Sequence, residues 1–179
     1  MNIYFDVVSK NLKRLSTFIT KPSKFYFKLF NLKVPENHRF DILPTDISHA
    51  LFQYTTLLLR VIAKLVNIGI ECESDSALVI LDLQTYRKFM YKNKLDHDFY
   101  HICEMHSYLS HYTISLLFHL GIEVTDREIP YFIKNLTLIL NKPVRGNLHL
   151  RIPWSLEFVR ESVQNHYGLS NSCKDWFII

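Results

Sequence analysis

The chain has 179 residues, of which 48% are hydrophobic and 21% charged, and a formal net charge of +4. It is too apolar for an intrinsically disordered protein, and its length suits one domain, or one domain with an added arm. No stretch approaches the roughly 20 apolar residues of a membrane-spanning helix, and three scattered cysteines support neither a disulfide framework nor a zinc site. We therefore expect an intracellular protein of a reducing compartment, the cytoplasm above all, although the basic N-terminus also overlaps the pattern of an organellar presequence.

The positive charge is concentrated at the N-terminus. Residues 1–34 contain seven of the 21 Lys and Arg residues and one acid, so this segment carries +6 and the other 145 residues carry −2. The cations alternate with aromatic residues, a composition typical of segments that contact phosphates, anionic lipid or an acidic protein. The predicted binding residues are Lys10, Lys13, Arg14, Lys21, Lys24, Phe25, Tyr26, Phe27, Lys28 and Lys33.

The first predicted element is an amphipathic helix that ends before Pro22, because apolar residues recur at three- and four-residue steps from Ile3 to Ile19. The next segment, up to Pro44, holds three prolines and is predicted to be a connecting, partly extended arm. We therefore divide the chain into residues 1–44, a basic helix and arm, and residues 45–179, a helical domain.

Four further helices follow from the same periodicity. The first is capped by Thr45 or Asp46 and ends near residue 67, and the second spans 96–120 and stops at Gly121. A capping-box pattern at Thr125 and Glu128 opens the third, which should end near Asn141, and Gly168 closes the last. Residues 78–83 are compatible with a buried strand or with another helix, which we favour. The predicted fold is thus all-α, a bundle of five to six helices with a basic N-terminal arm and at most one short extended segment.

Five of the nine histidines lie in the predicted helix 96–120. His97, His101 and Glu104 have a spacing that places two imidazoles and a carboxylate on one helix face, where they could bind a metal ion. A four-ligand structural site would need further ligands, which the sequence does not supply. The remaining positions of the helix are apolar, so we predict that this stripe is simply the solvated polar face and that the protein binds no metal or other cofactor.

Arg160 and His166 are separated by five residues in the last predicted helix. This spacing resembles the Arg-x4–6-His motif of HEPN-type ribonucleases, small helical proteins that dimerise and cleave RNA. The resemblance covers seven residues and implies a metal-independent ribonuclease of a toxin or defence system with Arg160 and His166 as catalytic residues. Glu161 stands where that family often has Asn or Asp. The alternative is a surface arginine paired with a carboxylate, and a histidine favoured by the dipole of the helix C-terminus.

The C-terminal residues include Trp176 and Phe177, large apolar side chains that are expected to be covered by this chain or by another one. Together with the basic N-terminus, they favour a non-enzymatic interaction subunit of a larger assembly, with protein partners and with homo-oligomerisation left open. Two alternatives remain: the HEPN-like ribonuclease, and the binding of nucleic acid or an anionic membrane surface through residues 10–33.

Overall fold

The computed structural model describes residues 3–66, 98–142 and 154–169. These residues form a mainly helical fold with one small antiparallel sheet near the N-terminus. The described elements are, in chain order, α1 (Ile3–Leu15), β1 (Ile19–Ser23), β2 (Tyr26–Leu29), β3 (Leu32–Pro35), α2 (Thr45–Leu65), α3 (Asp98–His119), α4 (Phe132–Asn141) and α5 (Leu156–His166). None of these helices is both long and apolar enough to cross a bilayer.

The segment predicted to be an extended arm is a folded β-meander. Strand β2 pairs antiparallel with β1 on one side and with β3 on the other. Its side chains alternate, so that Phe27 and Leu29 are buried in the core while Lys28 lies on the outer face. The prediction of a mainly helical protein is therefore confirmed for the described residues. The prediction of an arm is wrong for residues 21–35, and the first helix ends at Leu15 rather than just before Pro22.

The turn between β2 and β3 lacks the residues by which a hairpin is usually predicted from sequence. Phe30 and Asn31 both have positive φ angles, 49° and 79°, and Leu29 pairs with Leu32 across them. This is the backbone of a two-residue type I′ hairpin, which normally carries Asn-Gly or a similar pair. Here the ring of Phe30 packs on Phe18 at a centroid distance of 4.7 Å and on Tyr54 at 5.1 Å. Ring packing stabilises a backbone conformation that phenylalanine rarely adopts.

Helices α2 and α3 occupy nearly the predicted positions. The N-cap of α2 is Pro44 rather than Thr45 or Asp46, and it provides no side-chain cap. Helix α3 packs against α2, α4 and α5, and all of residues 101–117 are buried except Glu104 and Tyr108. The prediction that its histidine stripe faces solvent is therefore wrong for His101 and His111, because neighbouring helices cover both the apolar and the polar side of this part of the helix.

The last two described helices end as predicted but begin differently. The capping box of Thr125 and Glu128 forms, yet it caps a short 3-10 turn, and α4 begins at Phe132. Helix α5 is capped by Ser155, whose hydroxyl oxygen accepts a hydrogen bond of 3.1 Å from the backbone N–H of Phe158. Gly168 follows α5 with a φ of 77°, as expected of a helix stop.

All described elements contribute to one apolar core. Val8 and Leu12 of α1 and Leu29 of β2 are buried in the same cluster as Phe52 of α2 and Leu109 of α3. Residues 1–44 therefore supply core side chains, and deleting them would expose the rest of the core. The predictions for residues 78–83, for His97 and for Trp176 and Phe177 lie outside the described residues.

Candidate functional site

The outer face of the meander combines lysines with aromatic rings. We call this surface the basic sheet face. It comprises Thr20 of β1, Tyr26 and Lys28 of β2 and Lys33 of β3 on the outer face of the strands, together with Lys24 and Phe25 of the adjoining β1–β2 turn.

Lys28 is the centre of this face, since it lies directly opposite Thr20 on one side and Lys33 on the other. Directly opposed side chains in an antiparallel pair have Cβ atoms about 4.5–5.5 Å apart, and like charges at this distance are destabilising. Neither lysine takes part in an ion pair with any residue in the described part of the chain. Within the described residues the two lysines therefore form a repulsive pair that a bound anion would relieve.

The aromatic rings of the basic sheet face each have a lysine close by. Phe25 is 71% exposed, and the Nζ atom of Lys24 lies 5.1 Å from its ring centroid. The half-buried ring of Tyr26 has the Nζ atom of Lys33 at 5.2 Å. A flat apolar surface thus adjoins a positive charge at two places on the same face.

Two of the predicted binding residues are engaged differently. Phe27 is only 3% exposed and belongs to the core, so it is not available to a partner. Lys21 forms an ion pair with Glu36, with 2.8 Å between its Nζ atom and the carboxylate, which neutralises its charge locally.

The other three predicted cations, Lys10, Lys13 and Arg14, are exposed on α1. Among the described residues they form no ion pair. The last turn of α1, which carries Lys13 and Arg14, leads through residues 16–18 directly into β1. The basic sheet face is therefore preceded in the chain by three further exposed cations.

A shallow groove of about 580 Å³ begins at one end of the basic sheet face. Pro35, which pairs with Tyr26 across the sheet, forms part of its wall. The groove is lined by Lys24, Phe25, Pro35, Glu36, Asn37, Ile42, Glu128, Tyr131 and Lys134. Both acids in this wall already have lysine partners, Lys21 for Glu36 and Lys134 for Glu128. Phe25 and Ile42 leave large apolar surfaces open, since Ile42 is 64% exposed.

Behind the groove lies a buried network around His106. Its Nε2 atom donates to the carbonyl oxygen of Pro130 at 2.5 Å, which leaves Nδ1 as the acceptor for the hydroxyl of Tyr167 at 2.9 Å. The backbone of Phe40 also hydrogen-bonds the Tyr167 hydroxyl. Burial lowers the pKa of His106 well below its usual value, so the ring is neutral.

His38 is a second fully buried neutral imidazole. Its Nδ1 atom donates to the carbonyl of Glu36 at 3.0 Å, and its Nε2 atom accepts from the backbone N–H of Ile133 at 3.2 Å. Burial lowers its pKa to about 3. His38 thereby joins the end of the sheet to the start of α4, and the sequence offered no periodic signal for this contact.

Arg160 and His166, the catalytic pair implied by the HEPN resemblance, face different surroundings. The guanidinium of Arg160 makes hydrogen bonds of 2.9 and 2.6 Å to the carboxylate of Glu104. The ring of His166 packs edge-on against the rings of His106 and Tyr131, its Nε2 atom has no hydrogen-bond partner among the described residues, and burial lowers its pKa. No described hydrogen bond or ring contact joins the two side chains, and the charge of Arg160 is already neutralised.

The predicted metal ligands are not gathered into a site in the described structure. Glu104 pairs with Arg160, and the buried ring of His101 lies 5.6 Å from the ring of His49. In the described ranges no group of three or more His, Cys, Asp or Glu side chains is placed to hold a metal ion. Cys103 is buried, and burial raises its pKa to about 12, which makes it a poor nucleophile.

The buried network and the ion pair of Arg160 therefore belong to the core, whereas the basic sheet face and its groove are open to a partner. Comparison with known proteins found no matching protein family, no similar curated protein and no similar solved structure.

Proposed function

We propose that this protein is a non-enzymatic interaction subunit that binds an anionic partner of a larger assembly through its basic sheet face. The observation that carries the proposal is the direct opposition of Lys28 and Lys33, with no acidic partner for either among the described residues. An acidic residue at one of the two positions would make the folded protein more stable, because opposite charges attract across the strands. Two lysines at this place are better explained by a bound anion that compensates both charges.

The surroundings of the pair agree with a binding role. The sheet is fixed on the core and holds the backbone of the two lysines at a set spacing. Binding would therefore cost little additional backbone ordering. Phe25 and Ile42 add exposed apolar area next to the charges, where contact with a partner would remove it from water. Trp176 and Phe177 remain a predicted second contact to the same assembly.

The interior supports the non-enzymatic part of the proposal. His38 and His106 are neutral, and both ring nitrogens of each are occupied by hydrogen bonds. The arginine that would have to hold a phosphate in a nuclease mechanism is bound to Glu104. These groups hold elements together rather than leaving a reactive atom accessible to a substrate.

The experiment compares two charge reversals of equal size in the full chain, tagged and expressed in its native host. Lys28→Glu with Lys33→Glu keeps a like-charged pair across the strands, so the sheet's own electrostatics are little changed. Lys64→Glu with Lys142→Glu alters two exposed lysines elsewhere and is the matched control. The free energy of unfolding of each variant is measured to confirm folding.

The expected result is that a stoichiometric, salt-sensitive partner, acidic or phosphate-bearing, co-purifies with the wild type and with the control. It should be lost from the Lys28 and Lys33 variant. Retention of the same partner by all three proteins would overturn the proposal.

A further inference from the structure

We propose that the anionic partner of the basic sheet face is single-stranded nucleic acid, an inference that rests on the proposed function and specifies its chemistry. Phosphates would contact Lys28 and Lys33, and bases would stack on the rings of Phe25 and Tyr26 at the β1–β2 turn. The carrying observation is the repeated pairing of an exposed or half-exposed ring with a lysine, Phe25 with Lys24 and Tyr26 with Lys33.

The positive charge of the basic sheet face favours a polyanion as its partner. The face presents five lysine or aromatic positions without an acid, and further cations that form no ion pair with a described residue stand on α1 just before it. A polymer with one negative charge per residue matches such a row of fixed cations and releases counterions on binding. A single acidic side chain of a partner would neutralise one lysine and leave the charge of the other without compensation.

The rings narrow the choice further. Bases in a duplex are stacked on each other and cannot cover a protein ring, whereas the unstacked bases of a single strand can. Phe25 is 71% exposed, so one of its faces remains open although Lys24 lies near the ring. Tyr26 follows Phe25 directly in the chain as the first residue of β2, and its half-buried ring lies on the outer face of the sheet.

The groove at the end of the sheet is large enough to hold one base or nucleotide of a strand bound across the basic sheet face. Its volume of about 580 Å³ lies within the roughly 300–1,000 Å³ of pockets that hold small organic ligands. Two aromatic rings, Phe25 and Tyr131, and the amide of Asn37 line it. An aromatic wall with a side-chain amide offers stacking and a hydrogen-bonding pair, which is the chemistry that base recognition uses.

The test measures binding of a fluorescent 12-nucleotide uridylate oligomer to the full-length protein by anisotropy, at several salt concentrations. The wild type should bind it, and the logarithm of the affinity should fall linearly with the logarithm of the salt concentration. Replacing Lys28 and Lys33 together by Gln should weaken binding at least ten-fold and make the slope shallower by about 1.4, because each phosphate contact to a single strand contributes about 0.7. The matched control, Lys64→Gln with Lys142→Gln, should keep both quantities.

A second pair of variants isolates stacking from charge. Phe25→Leu keeps an apolar side chain but removes the ring, and it should weaken binding roughly ten-fold with an unchanged salt slope. Phe158→Leu, at a 40% exposed position on α5, is its control and should leave binding unchanged.

Competition with three other polyanions tests whether single-stranded nucleic acid is the preferred ligand. A duplex of the same length, poly-glutamate and vesicles with 30% phosphatidylserine should each compete more weakly than the unlabelled oligomer. Equal or stronger competition by any of them overturns the assignment to single-stranded nucleic acid. If the oligomer does not bind while the native partner is still lost on reversal of Lys28 and Lys33, this inference fails and the proposed function stands.

Discussion

The guanidinium of Arg160 on α5 and the carboxylate of Glu104 on α3 are joined by two hydrogen bonds, 2.9 and 2.6 Å long. The Glu104 side chain is only 15% exposed and the Arg160 side chain 28% exposed, so water screens the pair incompletely. The pair connects two helices that pack against each other, and it raises the pKa of the Arg160 guanidinium. A residue that the sequence suggested for RNA cleavage thus holds a helix in place.

Replacing Arg160 by Ala should lower the free energy of unfolding by about 1–3 kcal/mol, because the mostly buried carboxylate of Glu104 would lose both hydrogen bonds from the guanidinium. Urea titration followed by far-UV circular dichroism measures this loss. Arg127→Ala removes an exposed arginine from the 3-10 turn and should change the unfolding free energy by less than about 0.5 kcal/mol.

An RNA-cleavage assay on the same proteins separates the structural role of Arg160 from a catalytic one. If the wild type cleaves RNA, and Arg160→Ala and His166→Ala abolish cleavage at unchanged stability, the HEPN-like function is right and the structural interpretation is wrong.

Replacing Tyr167 by Phe should destabilise the protein by about 1–3 kcal/mol. The lost hydroxyl donates to Nδ1 of His106 at 2.9 Å and also hydrogen-bonds the backbone of Phe40, so two buried groups lose a partner. Tyr131→Phe is a matched control, because the Tyr131 ring packs against His38 and His166 but makes no described hydrogen bond through its hydroxyl. Equal unfolding midpoints in urea for the two variants would show that the network around His106 is not important for stability.

Stability should also fall as the pH is lowered from 7.5 to 5.5. His38 and His106 are buried and neutral, with folded-state pKa values below the ordinary 6.5, about 3 for His38. Below pH 6.5 the unfolded chain binds protons that the folded chain does not, so the free energy of unfolding decreases by up to about 1.4 kcal/mol per pH unit and histidine. For two histidines the loss over this range is about 2–3 kcal/mol.

Chemical denaturation at pH 7.5, 6.5 and 5.5 measures this dependence. The variant His106→Gln cannot take up that proton, so its curve of unfolding free energy against pH should be shallower by about 1.4 kcal/mol over the same range. A wild-type unfolding free energy that stays constant from pH 7.5 to 5.5 would contradict the buried neutral state of these histidines.

The helices were the predictable part of this fold. Apolar residues at three- and four-residue steps give α2 and α3 nearly their observed limits, and Gly121 and Gly168 stop the chain where positive φ angles are needed. The sheet was not predictable in this way, because each strand of four or five residues shows at most two alternations. The hairpin that defines it also places Phe30, rather than Asn or Gly, in a left-handed conformation.

The surroundings of α3 show why its polar residues were misinterpreted. Ser107, Thr113 and Ser115 donate to backbone carbonyls four residues earlier in the helix, so they are satisfied without water. His111 finds its partner in the carbonyl of Trp154, 43 residues away. A helical wheel assumes that polar residues need solvent, and long-range acceptors of this kind cannot be read from it.

The candidate site was found in part. Composition identified its lysines and two of its rings, since charge asymmetry is visible in any sequence. It did not reveal that Lys28 opposes Lys33 or that Phe27 points inward, because both depend on the strand register. The groove was invisible for the same reason, as its walls combine the β1–β2 turn with Tyr131 and Lys134.

The opposed lysines lead to a prediction in which stability and binding change in opposite directions. Lys28→Glu replaces a repulsive cross-strand pair with an attractive one to Lys33, so the free energy of unfolding should rise by about 0.2–1 kcal/mol. The same substitution removes the central cation of the basic sheet face, so affinity for the anionic partner should fall. Lys10→Glu on α1 makes the same change in net charge without a cross-strand neighbour, and its unfolding free energy should stay near the wild-type value.

Urea titration at low and at 0.5 M salt measures the gain, which should shrink at high salt because the interaction between exposed charges is screened. If Lys28 served only folding, a single substitution would not be expected to raise the free energy of unfolding. If Lys28 serves binding, such a gain in stability is expected. A Lys28→Glu protein that is less stable than the wild type, or that binds the partner as well as the wild type does, would show that Lys28 serves the sheet itself. In that case the cationic pair could no longer be explained by an anion bound to its outer face.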